Sequence, residues 1–245
     1  MSKLMKMYIA KLVLRVIIFA IILLTYIFNK ELLEKLIFVP IWKSISVYHI
    51  IWLFFMGMMI LHLCPTRKWI TMAIKKTSRQ LFLEIKDDIL KTLTDVKKIK
   101  LLETIQEQDF KALIILLLWC SLNGIFGLLY HFKVIDASFL LLLTGFYFVC
   151  DYICILFFCP FQRFIMKNKC CVNCRIFDWG HFMMFTPMIF IPSFFSWSLF
   201  FMSLIVMLRW EIIYRTRTVM FYQHTNSSLQ CNNCKDKLCM IKKKK

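Results

Sequence analysis

Long apolar runs separated by short polar stretches dominate the chain, and only one polar stretch is long enough to carry structure of its own. Four runs, 12–28, 45–63, 112–130 and 137–158, come close to the roughly 20 apolar residues that a helix needs to cross a hydrocarbon layer of about 30 Å. A fifth block, 179–208, is apolar apart from Gly180, His181, a few hydroxyls, Pro187 and Pro192. It reads either as one long kinked helix or as a tight hairpin turning at Ile191-Pro192-Ser193, with spans at 179–191 and 193–213. The runs are continuous and lack the period-2 alternation of barrel strands. The pattern therefore predicts an all-α integral membrane protein, a single membrane domain over 1–245 built as a bundle of about six transmembrane segments in three hairpins. Because 179–191 is short for a full crossing, the last hairpin is also readable as re-entrant.

Between the second and third runs lies the polar segment 66–110. Phe82, Ile85, Ile89, Leu93, Val96, Ile99 and Leu102 recur there at intervals of three or four, the spacing of a helical stripe. Thr77 with Gln80 forms a capping box, and Asp87 with Lys91 a supporting i,i+4 pair. The segment is predicted to be an amphipathic helical insert. Its stripe over 81–105 has three open uses: a protein partner's helix, the underside of the bundle, or the bilayer surface. Arg67, Lys68, Lys75, Lys76 and Arg79 precede it and suit anionic lipid headgroups, where each cation near the surface contributes about 1 kcal/mol.

Charge then orients the bundle. The chain carries a formal net charge of +18 and a mean hydropathy of +0.68. With six crossings and both ends inside, 28 of the 32 Lys and Arg fall in segments 1–15, 64–111, 159–182 and 209–245 on one side. That is the excess expected of cytoplasmic loops. A single fifth span would put the basic tail, with Lys242 and Lys245, on the opposite face. The first run is followed by Asn29, Lys30, Glu31 and Leu32 rather than a small-residue cleavage site, so it is read as an uncleaved span. Topology accounts for the basic charge, and no nucleic-acid-binding module is recognisable.

The eleven cysteines change the picture further. Cys171-Val172-Asn173-Cys174-Arg175 and Cys231-Asn232-Asn233-Cys234-Lys235 repeat one wording on either side of the last apolar block. Each C-x-x-C pair can place two thiolates about 2.3 Å from one metal ion, and two pairs complete a tetrahedral zinc shell. Cys171, Cys174, Cys231 and Cys234 are the first-choice ligands, with Cys170, Cys239, Cys159 and Cys64 as substitutes. Arg175 and Lys235 would offset the thiolate charge. The site would join 159–178 to 215–245 and clamp the tail onto the last inner loop. Unligated reduced thiols or a redox dithiol are the alternatives, and an iron–sulfur cluster also uses four cysteine thiolates. Cys120, Cys150 and Cys154 lie within spans, where small thiols commonly only pack.

Asp151 is the one acid well inside a span and the candidate for proton chemistry. Arg15, His62 and Arg209 are its possible partners, and Asp178, His181 and Glu211 would extend a polar layer beneath the cysteines. The other reading is a structural ion pair that fixes helix packing. Asn123 suits an interhelical hydrogen bond. Searches for a phosphate-binding glycine loop, His-Glu-x-x-His and Gly-x-Ser-x-Gly return nothing, so an enzyme is not favoured. The Asn226-Ser227-Ser228 sequon falls in the expected cytoplasmic tail. A weak repeat relates 61–70 to 156–165 through Cys64-Pro65 and Cys159-Pro160.

Cys159-Pro160-Phe161-Gln162, then Cys170-Cys171-x-x-Cys174-Arg175-Ile176-Phe177-x-Trp179, then Met183-Met184-Phe185-Thr186-Pro187, together resemble a family of uncharacterised polytopic membrane proteins of bacteria. The resemblance covers the C-terminal half; it implies a multi-pass protein of the bacterial inner membrane and no established activity. A fainter similarity is to membrane iron–sulfur proteins with C-x-x-x-C-P motifs. Cys150 and Cys154 have the spacing, but the proline is displaced to Cys159-Pro160. Three function classes follow as expectations: a binding, assembly or regulatory component with a structural zinc site and cytoplasmic termini; a membrane redox protein; and a small transporter lined by Asp151 and Asn123.

Overall fold

A computed structural model describes residues 3–37, 47–63, 95–168, 170, 173–222 and 226–233. The capping box at Thr77, most of the 81–105 stripe, and Cys64, Cys171, Cys234 and Cys239 lie outside the described residues. Among the described residues the protein is helical, with no strand. The helices are α1 (Lys3–Phe28), α2 (Lys30–Ile37), α3 (Val47–Leu63), α4 (Asp95–His131), α5 (Ala137–Leu156), α6 (Gly180–Phe185) and α7 (Phe194–Thr216). Short π and 3-10 turns connect the later ones. Among the described residues four helical stretches, Leu4–Phe28, Ile99–His131, Ala137–Leu156 and Phe194–Thr216, are long and apolar enough to cross a membrane, and His49–Leu63 is a shorter apolar helix.

Helix α4 departs from the expected division between insert and span. Its 37 residues run without interruption from Asp95 to His131, a length of about 55 Å at about 1.5 Å per residue. No glycine or proline occurs between Asp95 and Asn123, so nothing in the backbone stops the polar stretch from continuing into the apolar one. Within the polar half, Leu101 is buried while Ile99 and Leu102 of the expected stripe are exposed.

The block after residue 176 forms the centre of the bundle. Phe177–Trp179 makes a 3-10 turn, α6 follows, and Thr186–Phe190 tightens again into 3-10 helix. The chain reverses over Ile191-Pro192-Ser193, where the Ser193 hydroxyl accepts from the Ser196 amide and caps α7. Helix α7 returns antiparallel to this arm. The Phe182 and Phe200 rings meet at 6.1 Å, and the Trp210 indole donates to the Arg175 carbonyl at 2.8 Å. The arm packs against α4, α5 and α7, burying Trp179, Phe182, Met184, Phe185, Thr186, Met188 and Ile191. Its irregular backbone is thus surrounded by protein, the condition under which such backbone is tolerated at membrane depth.

The remaining helices close around this centre. Helix α1 lies along α5 through the Tyr8–Tyr152 and Phe19–Phe146 ring pairs. At their closest approach, a Cβ on Gly145 would sit 3.3 Å from the Phe19 ring. Helix α3 packs on α7, where the Trp52 indole donates to the Ser198 hydroxyl at 2.8 Å. The turn from α4 to α5 uses Lys133 in the left-handed region, φ 58°, and Asp136 then pairs with Lys30 at the start of α2.

The arm's tip depends on Gly127. An added Cβ there would lie 2.3 Å from Phe190 Cε1, whereas one on Gly124, a turn away, would meet nothing within 4 Å. Gly127→Ala is expected to displace the Phe190 ring and cost about 1–3 kcal/mol by overpacking. Gly124→Ala should be neutral or stabilise by up to about 1 kcal/mol. Thermal unfolding of the two variants in detergent checks the difference.

Candidate functional site

Among the described residues Cys170 and Cys174 pack in one core with Trp179, Trp210 and Tyr214, and Arg175 organises that end of the bundle. It emerges from the loop directly after Cys174 and is 5% exposed. Its Nη1 and Nη2 donate to Glu211 Oε1 and Oε2 of α7 at 2.6 and 2.5 Å, and its Nε donates to Asp109 Oδ1 of α4 at 3.0 Å. The guanidinium stacks 3.8 Å from the centre of the Tyr214 ring. Trp179 Nε1 adds a third donor to Glu211, at 2.8 Å. Burial works against the charge on Arg175, but Glu211 and then Asp109 more than compensate and hold its pKa above the ordinary guanidinium value. Beside it, Tyr214 and Tyr222 share a hydroxyl hydrogen bond of 2.7 Å. The sequence reading turned Arg175 toward thiolates; the structure turns it toward two carboxylates. The fork of an arginine fits a carboxylate bidentately, and here it unites α4, α7 and the loop.

The expected polar layer is divided into two groups. In the first, Arg15 Nη1 of α1 donates to Asp151 Oδ2 of α5 at 2.7 Å and to the Phe148 carbonyl at 2.7 Å. The Arg15 guanidinium also lies 3.7 Å from the Tyr152 ring centre and 4.1 Å from that of Phe148. Asp151 reaches close to the arm: a Cβ on Gly180 would sit 2.9 Å from its Oδ1. In the second group, His62 Nδ1 of α3 and His181 Nε2 of α6 are 3.1 Å apart. The Arg209 guanidinium donates to the His62 carbonyl at 2.6 Å. One histidine must donate and the other accept, so this contact holds a single shared proton. Of the partners considered for Asp151, Arg15 is the one that pairs with it; His62 and Arg209 turn to each other and to His181. Glu211 belongs to the Arg175 cluster.

Asn123 makes the interhelical contact its position invited. Its Nδ2 donates to the Trp119 carbonyl, and its Oδ1 accepts from the Tyr147 hydroxyl of α5 at 3.4 Å. Trp119 Nε1 continues the chain to Thr186 of the arm at 3.1 Å. This is a closed packing network. Asn226, the first residue of the sequon, is buried and donates to the Met220 carbonyl at 2.8 Å, so its amide is committed to the fold.

Of the first-choice cysteines, Cys171 and Cys234 are outside the described residues. Cys231 begins a 3-10 turn, Cys231–Asn233. Cys174 is buried, and burial pushes its thiol up to about 11. Among the described residues no three His, Cys, Asp or Glu side chains are grouped so as to hold a metal ion. One contact does connect the two cysteine segments: Asn173 Nδ2, inside the first pair, donates to the carbonyl of Leu229, two residues before Cys231, at 3.0 Å. Sequence reasoning also passed over the turn after α5, where the Gln162 amide donates to Cys159 Sγ at 3.4 Å. The signal available was the proline after Cys159, which ends α5 and lets the chain fold back. Compared with protein-family models, curated proteins and solved structures, the chain matches none.

Arg175→Met leaves Glu211 and Asp109 without their cation and should destabilise the protein by about 3–5 kcal/mol. Arg175→Met with Glu211→Leu should cost clearly less than the sum of the two single changes. Thermal unfolding in detergent measures the coupling. For Cys174, a thiol kept neutral by burial stabilises the fold fully below its unfolded pKa of about 8.5 and loses that contribution as pH rises through about 11. In chelator, the stability gap between the protein and its Cys174→Ala variant should therefore narrow over that window.

Proposed function

We propose that this is a multi-pass membrane protein in which Cys171, Cys174, Cys231 and Cys234 hold one zinc ion on the cytoplasmic side. In this reading the ion ties the C-terminal tail to the loop before the buried arm, and the protein serves as a binding, assembly or regulatory component. The observation that carries the reading is the Asn173–Leu229 hydrogen bond. It spans two segments 56 residues apart and joins the interior of one C-x-x-C pair to the approach of the other. The Trp210–Arg175 and Tyr214–Tyr222 hydrogen bonds support the same docking, because they hold the end of α7 and the start of the tail beside the loop.

The topology proposed with it has six elements at membrane depth and both termini on the cytoplasmic side of a bacterial inner membrane. The segment Phe177–Phe190 rises by about 25 Å for its mixture of α and 3-10 turns. Its tip meets Gly127, near the far end of α4. A short element of this kind serves as the fifth crossing when protein rather than lipid surrounds it. The antiparallel return of α7 then keeps both cysteine pairs on one side, with the basic tail among the other cytoplasmic cations. Anionic headgroups are the proposed surface for those cations, and the polar half of α4, with Ile99 and Leu102 exposed, is the place for a protein partner.

Elemental analysis of anaerobically purified protein should find close to one zinc per chain, and Cys171→Ser or Cys234→Ser should lose both the metal and folded protein. Protein that carries no metal and whose four thiols alkylate freely under native conditions would sink the proposal. Iron in place of zinc would favour the redox reading.

A further inference from the structure

The side of α3 that meets the buried arm brings two histidines and two methionines to one place. Phe55, Met59 and His62 follow one another at intervals of four and three, so they share one side of α3. His181 has Met184 and Phe185 three and four residues on along α6, again on one side. The two faces run antiparallel and meet at both ends. The Phe55 and Phe185 rings pack edge to face at 5.4 Å, and His62 Nδ1 lies 3.1 Å from His181 Nε2 with the ring centres 5.0 Å apart. Met59 and Met184 fall between these contacts, one turn behind the imidazoles, about 4.5 Å along each axis. Both are buried in one core with Phe185, against which Phe55 packs. The imidazoles are only half-buried, so an ion can reach them.

Two imidazoles that face each other through ring nitrogens are arranged so that a metal ion can take the place of the shared proton. Metal–imidazole bonds of about 2 Å ask for nitrogens about 4 Å apart, so the rings must part by about 1 Å. Two neutral rings need release no proton: the one that donates across the contact moves its hydrogen to its outer nitrogen, and both inner lone pairs then face the ion. The donor set chooses the metal. Among the described residues no third His, Cys, Asp or Glu joins the pair, so zinc would lack its tetrahedral shell and a hard cation its oxygen ligands. The Arg209 guanidinium, donating to the His62 carbonyl at 2.6 Å, adds a further charge against a divalent ion. Imidazole nitrogen with thioether sulfur suits copper(I) instead. We propose that His62 and His181, backed by the thioethers of Met59 and Met184, bind one copper(I) ion between α3 and the arm. The site uses none of the four first-choice zinc ligands, so this proposal and the zinc reading can fail separately.

The test uses the full chain in detergent, kept reduced and anaerobic, with copper(I) supplied through a competing chelator. X-ray absorption of the loaded protein should show imidazole nitrogen together with sulfur around the copper. His62→Gln with His181→Gln should lose close to one copper per chain and the imidazole signature, while the zinc content stays as it was. Met59→Leu with Met184→Leu, which nearly keeps the core volume, should hold the ion about tenfold more weakly or worse, the scale on which groups around a metal tune its affinity. Cys64→Ser should hold it as before. Silver(I), a redox-inert stand-in, should protect His62 and His181 of the unaltered protein from diethyl pyrocarbonate, read by mass spectrometry, and this arm needs no variant to fold. Copper held by sulfur alone overturns the proposal, as does a double glutamine variant that keeps all of its copper. It is equally overturned if the methionine variant binds with unchanged affinity, if Cys64→Ser loses the ion, or if silver leaves both histidines reactive.

Discussion

A guanidinium held out of water sets the terms for the rest of this structure. Removing such a charge from solvent costs several kcal/mol even after relaxation, and only close carboxylates with good geometry offset it. Arg175 has them on two different helices, Glu211 on α7 and Asp109 on α4. The pairing is therefore also a positional constraint. The loop holding Cys174 cannot drift from α7 without stranding a cation, and the polar half of α4 cannot swing away without stranding an acid. Trp179 and Trp210 reinforce the same geometry from either side of the loop, one donating to Glu211 and the other to the Arg175 carbonyl.

That clamp holds one end of the arm, and Gly127 admits its other end. Between them the arm changes from α to 3-10 winding, with a proline near the change. Such a segment would be poorly suited to lipid contact, since loosened backbone groups have no water to turn to. Here α4, α5 and α7 enclose it, and polar atoms are satisfied locally: the Thr186 hydroxyl donates to the Phe182 carbonyl while accepting from Trp119. The same enclosure brings His181 to His62 and Gly180 to Asp151. Two ionisable pairs lie here, Arg15 with Asp151 and His62 with His181, and each joins side chains from two helices.

Among the described residues, Cys170 and Cys174 pack with Trp179, Trp210 and Tyr214 at the end of the bundle that the clamp defines. Cys159 sits on the turn where α5 stops, accepting from the Gln162 amide, and Cys174 is buried in the loop pinned by the residue that follows it. The Asn173–Leu229 hydrogen bond brings the tail to the same place. Three separate features, a helix stop, a buried ion pair and a docked tail, thus converge on one small region. This is why the zinc site proposed for the protein is placed there and not along the apolar helices.

Much of this was legible in the residues alone. Continuous apolar runs at 12–28, 112–130 and 137–158 foretell helices because burying backbone away from water forces it to hydrogen-bond within itself. Ile191-Pro192-Ser193 allows either a kink or a reversal, and Asp151 demands a partner because an unpaired carboxylate in apolar surroundings is too costly to keep. What those rules leave open is which partner is used, since Arg15, His62 and Arg209 are equivalent on paper. Only the tertiary structure decides, by the rotation and depth of each helix, that Arg15 meets Asp151 and that His62 meets His181. The role of Arg175 was hidden for the same reason. Beside a C-x-x-C pair it reads as a counter-charge for thiolates, and its true neighbours, Asp109 and Glu211, are 66 and 36 residues away along the chain. Local sequence determines what each side chain must find; only the packed bundle determines where it finds it.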